Sequence, residues 1–181
     1  MARKHLLVTA TRVLGIGVAL CTLLAPNAAH AKPKLALDLE AAFPGDVPDA
    51  TRGFGGGLRI GNEWNLVLVK LTPEIQGNYH EFGGASDASQ WGMMAGGRVG
   101  VGLILQPSVF AHAGVGHFGY RTASADVSQT SLAYDMGLAL DITALPLLDI
   151  GAHASLNGVA GDDNAKSFAW YALGGHVAFS F

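Results

Sequence analysis

The chain has 181 residues, of which 14% are charged and 50% are hydrophobic, and its formal net charge is −3. This composition lacks the excess of Lys and Arg that marks a nucleic-acid-binding surface. Soluble surfaces generally carry about 25–35% charged positions. The composition therefore excludes nucleic acid as a partner and indicates that part of the protein faces an apolar environment.

The first 31 residues form a separate segment by composition. Arg3 and Lys4 give a positive start, residues 13–25 are almost wholly apolar, and Ala29-His30-Ala31 has the small-x-small form of a cleavage signal. This layout predicts a secretory signal peptide over residues 1–31 and a mature chain over residues 32–181. The apolar run is too short to span a bilayer comfortably.

The only cysteine, Cys21, lies within the predicted signal peptide. Lipid attachment at Cys21 is an alternative, but a bacterial lipoprotein signal has a small residue before its cysteine, and Leu20 stands there. The predicted mature chain has no disulfide, no thiol nucleophile and no thiolate metal site. Without disulfides, an exported chain of this size needs another source of order, such as a large closed sheet.

Strict alternation of apolar and polar residues is the strongest pattern in the mature chain. It runs through residues 131–157, where the apolar positions of the first half are Leu132, Tyr134, Met136, Leu138, Leu140 and Ile142. Successive side chains of a strand point to opposite faces, so this period predicts two strands, each with one apolar and one polar face. Residues 144–147, which include Pro146, predict the turn between them.

The same alternation predicts the remaining strands in chain order. They are residues 35–43, 53–61, 65–79, 91–103 and 108–120, with a last strand that ends at Phe181. Short turns are expected at residues 61–63 and 106–107, and longer loops at residues 44–49, 80–90, 122–130 and 158–165. Pro73 and Gly116 interrupt the pattern and are candidate positions for β-bulges.

An even number of alternating strands, with short turns at one end and longer loops at the other, is typical of an outer-membrane barrel. The polar face is rich in Gly, Ala and Ser, which suit the crowded interior of a narrow barrel. We therefore predict an all-β fold: an eight-stranded antiparallel up-and-down transmembrane β-barrel after a cleaved signal peptide. The alternative is a soluble exported lipocalin-like barrel that carries an apolar ligand, with the two faces reversed.

Several segments resemble those of the small eight-stranded outer-membrane barrels related to the transmembrane domain of OmpA, to OmpX and to the opacity proteins. They are residues 96–102, 113–116 and 137–141, and the terminal Phe179-Ser180-Phe181. The resemblance covers the whole mature chain and implies a Gram-negative outer membrane whose lipids surround the barrel. A strand ending on Phe181 is similar to the signal that the barrel-assembly machinery reads.

The resemblance also implies a function. These families are mostly non-enzymatic, so no catalytic, cofactor-binding or metal-binding residues carry over to this chain. The expected role is structural or based on interactions at the cell surface, with an unknown extracellular ligand of the long loops as a further partner.

The charged residues of the polar face are expected in the barrel interior. They are Asp38, Glu40, Arg59, Lys70, Glu74, Arg98, Asp135, Asp141 and Asp149, together with His112, His153 and His176. An unpaired charge in a low-dielectric interior is costly, so these groups should pair and fill the lumen. A gated proton or ion path is the alternative, although the interior of an eight-stranded barrel is only wide enough for side chains.

The pair His153-x-Ser155 suggests an enzyme, because an imidazole near a hydroxyl can activate a nucleophile. Outer-membrane lipid A deacylases are small barrels with a His-x-Ser pair, but their motif continues directly into Asn, whereas Leu156 intervenes here. Their later glutamate has no clear counterpart, and both side chains are predicted to face the lumen. A lipid A-modifying enzyme is therefore only an alternative.

Three further features have simple structural explanations. Asp162-Asp163-Asn164 has oxygen ligands for a divalent cation but reads best as a solvated turn. Residues 53–57 are rich in glycine but lack the Lys and following helix of a phosphate-binding loop. Trp91 and Trp170 are expected as interface or lumen aromatics near the outer rim.

Overall fold

A computed structural model of the protein describes residues 31–45, 50–84, 87–121, 126–161 and 167–181. The predicted signal peptide with Cys21, and the acidic segment Asp162-Asp163-Asn164, lie outside these residues. The eight strands are β1 Ala31–Pro44, β2 Ala50–Leu66, β3 Val69–Gly84, β4 Asp87–Val101, β5 Leu105–Arg121, β6 Asp126–Leu145, β7 Leu148–Val159 and β8 Phe168–Ser180. Within the described ranges, no helix is long and apolar enough to cross a membrane.

The strands form one closed antiparallel barrel in which each strand pairs with its sequence neighbours, and β1 pairs with β8. Successive strands on one side are joined by residues 67–68, 102–104 and 146–147; we call this side the turn end. On the other side, the loop end, the connections are residues 45–49, 85–86, 122–125 and 160–167. Closure leaves no strand edge unpaired, as a sheet in lipid requires.

The outer face of the barrel is apolar and the inner face is polar. Alternate residues along the strands are exposed Leu, Ile, Val and Met side chains, of which Leu138 on β6 is 64% exposed. Their neighbours toward the interior include buried Asp, Glu, Arg, His and Gln side chains together with small residues such as Ala and Ser. This is the polarity of a membrane barrel and contradicts the soluble lipocalin-like alternative, whose apolar face would be inside.

An aromatic belt marks the loop side of the apolar band. Phe54, Tyr79, Trp91 and Tyr171 all point outward and are 78%, 50%, 47% and 62% exposed. Aromatic side chains form such girdles at the two membrane–water interfaces of outer-membrane barrels. Phe179 and Phe181 are the exposed aromatic residues near the turn end.

Several predicted turns and loops are wrong because the strands are longer than expected. β2 continues through residues 61–63 to Leu66, and the turn lies at Val67-Leu68. Gly61 faces the lumen, where a Cβ would come within 3.1 Å of Thr72 Cγ2, so this glycine relieves crowding and does not form a turn. The predicted turn at residues 106–107 is also strand: Gln106 is buried, and its Nε2 donates to the Leu103 carbonyl (2.7 Å).

The predicted polar loop at residues 80–90 is mostly strand as well, since β3 reaches Gly84 and β4 begins at Asp87. Its polar residues His80 and Gln90 are buried in the lumen. Likewise, β6 begins at Asp126 inside the loop predicted at 122–130, and β7 extends to Val159 inside the one predicted at 158–165. In each case, polar residues that would indicate a solvent-exposed loop in a soluble protein lie here on the inner face of a strand.

Neither predicted bulge is present. Pro73 and Gly116 lie in uninterrupted registers, and the irregularities occur instead between Ala50 and Gly53 and between Thr143 and Leu145. The apparent break near Gly116 arose because Phe118 continues the inner face, as its complete burial shows.

Leu138 offers a direct test of the orientation of the two faces. Leu138→Arg should destabilise the barrel in lipid vesicles by about 2–4 kcal/mol, the cost of a midplane cation on the lipid face. Leu138→Phe should be nearly neutral, because lipid chains adapt to the larger ring. The measurement is urea unfolding in vesicles, and a strong loss of stability in Leu138→Phe would show a close-packed neighbour and contradict the lipid-facing assignment.

Candidate functional site

The barrel lumen is the candidate site, because the chemistry-bearing side chains of the described residues converge there. All twelve ionisable residues predicted for the interior face it: ten are buried, and Glu40 and Lys70 are partly buried. They come from different strands, so the closed sheet alone brings them together. Each strand contributes because every second residue must point inward.

Two arginines form the centre of the network. Arg59 holds Asp38 in a bidentate pair, with Nε to Oδ2 at 2.9 Å and Nη2 to Oδ1 at 2.7 Å. Its Nη1 lies 3.4 Å from Glu74. Arg98 lies 3.6 Å from both Glu74 and Asp141, and its guanidinium stacks 5.0 Å from the ring centroid of Phe110. A planar guanidinium suits such shared carboxylate contacts better than an ammonium would.

A second group of ion pairs lies at the turn end. Lys34 Nζ donates to Asp149 at 2.7 Å and to Glu63 at 3.1 Å, and Lys70 lies 3.3 Å from Glu63. Thr143 Oγ1 donates to Asp149 at 2.7 Å. These contacts connect β1, β2, β3, β6 and β7, and so join both sides of the lumen at this end.

The histidines connect these pairs into a continuous network. His112 donates to Glu74 (2.9 Å) and to Asp135 (2.6 Å) through its two ring nitrogens. Because an ionised carboxylate only accepts, both nitrogens must carry protons, and His112 is an imidazolium. Glu40 accepts from His80 (2.7 Å) and from His153 (2.9 Å), and His153 Nδ1 lies 3.2 Å from His176 Nδ1. His176 in turn contacts Asp141 through Nε2.

Each of these four histidines pairs in register with a glycine on the adjacent strand. The pairs are Gly55 with His80, Gly96 with His112, Gly151 with His176 and Gly174 with His153. A Cβ on any of these glycines would come within 3.0 Å of the histidine ring. The glycines therefore leave the space that the imidazole rings occupy.

The fixed charges of the described lumen do not balance. Its carboxylates are Asp38, Glu40, Glu63, Glu74, Asp135, Asp141 and Asp149, and its permanent cations are Lys34, Arg59, Lys70 and Arg98. Seven anions face four cations, so three further positive charges are needed. Since uncompensated buried charge is strongly unfavourable, protonated imidazoles or a bound cation supply positive charge, or a protonated carboxyl removes negative charge.

Aromatic side chains close the loop end of the lumen. We call Phe82, Phe118, Phe168 and Trp170 the aromatic plug; all four are at most 5% exposed. Phe118 and Phe168 stack at 4.1 Å, and Trp170 meets Phe82 edge-on at 5.7 Å. His80 also contacts Trp170, at 5.4 Å, so the plug rests directly on the charged network.

Sequence reasoning missed part of this site. Lys34 lies outside the first predicted strand. Glu63 falls in a predicted turn, and His80 and Gln90 fall in a predicted loop. The alternation of β3 and β4 continues through residues 80–90. This continued alternation is the sequence pattern that could have placed His80 and Gln90 on the inner face. Trp91 and Trp170 are predicted as interface or lumen aromatics, and each takes one of these positions. Trp91 lies outside in the aromatic belt, and Trp170 lies inside in the aromatic plug.

The pair suggested as a catalytic motif lies inside the barrel. His153 and Ser155 are 8% and 7% exposed, and both line the lumen. Both ring nitrogens of His153 already contact Glu40 and His176. Ser155 Oγ accepts a hydrogen bond from Asn157 Nδ2 at 2.8 Å. Residues 53–57 lie within β2 and form no loop.

Comparison with known proteins gives a fold but no close relative. No protein-family model matches the sequence, and no curated protein matches it significantly. The structure of Neisserial surface protein A superimposes with a TM-score of 0.65 at 15% identity, over 83% of this chain and 99% of that one. The outer-membrane enzyme PagL gives 0.61 at 18% identity, over 78% and 97% of the two chains. The N-terminal β-barrel domain of Pseudomonas aeruginosa OprF gives 0.52 at 16%, over 84% and 100%.

The chain has the fold of the small eight-stranded outer-membrane β-barrels. Its apolar exterior and charged interior are those of a barrel that spans a bilayer. Because the similar structures include an enzyme as well as surface proteins, the fold leaves the activity open.

Arg59 allows the ion pairs of the lumen to be tested. Arg59→Gln should destabilise the barrel by about 3–5 kcal/mol, because the change leaves buried carboxylates without their cation. Arg121→Gln is the matched control: Arg121 pairs with Asp126 at 3.0 Å, but both side chains are more than 60% exposed. Exposed pairs contribute about 0–1 kcal/mol. Urea unfolding in vesicles measures both, and equal effects would contradict the central role of Arg59.

Proposed function

We propose that the protein is a non-enzymatic outer-membrane barrel with a closed lumen and a structural or surface-interaction role. The observation that carries this proposal is the filling of the lumen over its length. Ion pairs occupy the turn end and the middle, and the aromatic plug occupies the loop end. The interior of an eight-stranded barrel is just wide enough for side chains, which fits a filled lumen and not an aqueous pore.

The loop end supports a role at the surface. Beyond the aromatic belt, outward residues on the strands become polar and exposed, including Arg52, Glu81, Ser128 and Thr130. Longer loops of outer-membrane barrels face the cell exterior. The strands thus project past the bilayer as a polar rim.

Conductance tests the closed lumen. Purified barrel added to planar bilayers should give no unitary channel events, because paired side chains block both halves of the lumen. Trp170→Ala should remain silent as well, since the charged network persists below the shortened plug. Reproducible unitary currents from the wild type, absent from lipid without protein, would overturn the closed barrel.

The enzyme alternative rests on the shared fold with PagL and on His153-x-Ser155. The position of both side chains in the lumen argues against an enzyme, because an acyl chain in the bilayer would have to pass through the barrel wall to reach them. His153→Ala should therefore leave the acylation of lipid A unchanged in the host. Mass spectrometry of extracted lipid A is the measurement, with a strain lacking the protein as the reference. A deacylated species that depends on His153 would establish the enzyme instead.

A further inference from the structure

Three lumen side chains present their ligand atoms to a common point. The Nδ1 atoms of His153 and His176 lie 3.2 Å apart, and each lies 4.0 Å from Oδ1 of Asp38. The point equidistant from these three atoms is about 2.2 Å from each, since that is the circumradius of the triangle; Zn–N and Zn–O bonds measure about 2.0–2.2 Å. We propose that Asp38, His153 and His176 bind one divalent transition-metal cation of the zinc type inside the barrel.

The outer nitrogens of both histidines give independent support. His153 Nε2 donates to Glu40 at 2.9 Å, and His176 Nε2 contacts Asp141. Metal-binding histidines almost always donate their second N–H to a carboxylate or carbonyl, which fixes the ring and strengthens the ligating nitrogen. Here both rings have this support, and both direct Nδ1 at Asp38.

The contact between the two Nδ1 atoms also needs an explanation. Two bare lone pairs at 3.2 Å would repel each other, so either one proton or one cation must lie between them. A divalent cation there also adds two positive charges to a lumen in which seven described carboxylates face four permanent cations.

The barrel wall holds the three ligands without rearrangement. Asp38 on β1 and His176 on β8 are direct partners across the closing strand pair, and His153 follows on β7. Gly174 and Gly151 leave the space that the two rings occupy. Imidazole nitrogen and a carboxylate oxygen form a donor set that suits Zn²⁺, Co²⁺ and Ni²⁺.

Two cavities of the lumen border the proposed ligands. One cavity, lined by Lys34, Arg59, Asp141 and His176 among others, lies toward the turn end. A second, lined by Asp38, Glu40 and His153 among others, lies deeper, and Arg59 and Arg98 border both. The aromatic plug closes the opposite side. Arg59 already donates to Asp38, but each carboxylate oxygen has two lone pairs, so Oδ1 retains one for a metal.

Zinc binding to the whole barrel tests the proposal. Untagged protein in detergent micelles is stripped with a chelator and titrated with ZnCl₂ by calorimetry, and the bound metal is counted after gel filtration. One Zn²⁺ per barrel is expected for the wild type and for the matched control His117→Gln. His117 lies outside the lumen, and its Nδ1 is 2.9 Å from Thr130 Oγ1. The double variant His153→Gln/His176→Gln should lose stoichiometric binding. Glu40→Gln should bind about 10–100-fold more weakly, because it supports one ring.

Folding of each variant is checked by its heat-dependent gel mobility. Should the double variant not fold, X-ray absorption at the zinc edge of the wild type provides the answer without any substitution. Two imidazole nitrogens and one oxygen at about 2.0–2.2 Å are expected. The proposal fails if the wild type holds no stoichiometric zinc, if His117→Gln loses it, if the folded double variant keeps it, or if the spectrum shows fewer than two imidazoles. None of these results bears on whether the lumen conducts or on lipid A.

Discussion

The whole structure depends on the need to pair polar groups away from lipid. A closed eight-stranded sheet satisfies every backbone group within the barrel, and it leaves side chains only two directions. Those pointing outward must be apolar, and those pointing inward share a space just wide enough to hold them. Charged residues that enter this space cannot remain solvated, so each needs a partner from another strand. Arg59 illustrates the result, since its contacts with Asp38 and Glu74 join β1, β2 and β3.

Pairing alone does not complete the interior, because anions outnumber permanent cations. The histidines resolve this imbalance, since an imidazole can be a cation, a neutral donor or a ligand as its surroundings require. Their rings are broad and flat, and each lies opposite a glycine on one of its two neighbouring strands. The four histidine–glycine pairs therefore link local backbone space to the charge of the lumen. Changing one of these glycines to alanine would disturb an ionic contact through steric displacement alone.

The sequence allowed the architecture to be predicted, because alternation and strand number are properties of single segments. It also assigned the inner face correctly for all twelve predicted ionisable residues. The ends of the strands were predicted poorly, since Gly61, His80 and Gln106 have the composition of turns in soluble proteins. The closed barrel explains why these positions are strand. Beyond the apolar band, the strands continue, and their inward polar residues still point into the lumen. The contacts themselves were beyond prediction, because the meeting of Asp38 with His176 requires β8 to close on β1.

The two ends of the lumen are closed by different kinds of side chain. At the loop end, Phe118 and Trp170 occupy inward positions that a polar face would not ordinarily give to aromatics, and they bury against one another. A seal of this kind excludes water, which strengthens the charge pairs directly beneath it. At the turn end, Lys34 bridges Glu63 and Asp149 at a partly buried position, so charged groups and not aromatic rings close this side. The aromatic plug therefore closes the barrel toward the loops, and the ionic bridge closes it on the side where β1 begins and β8 ends.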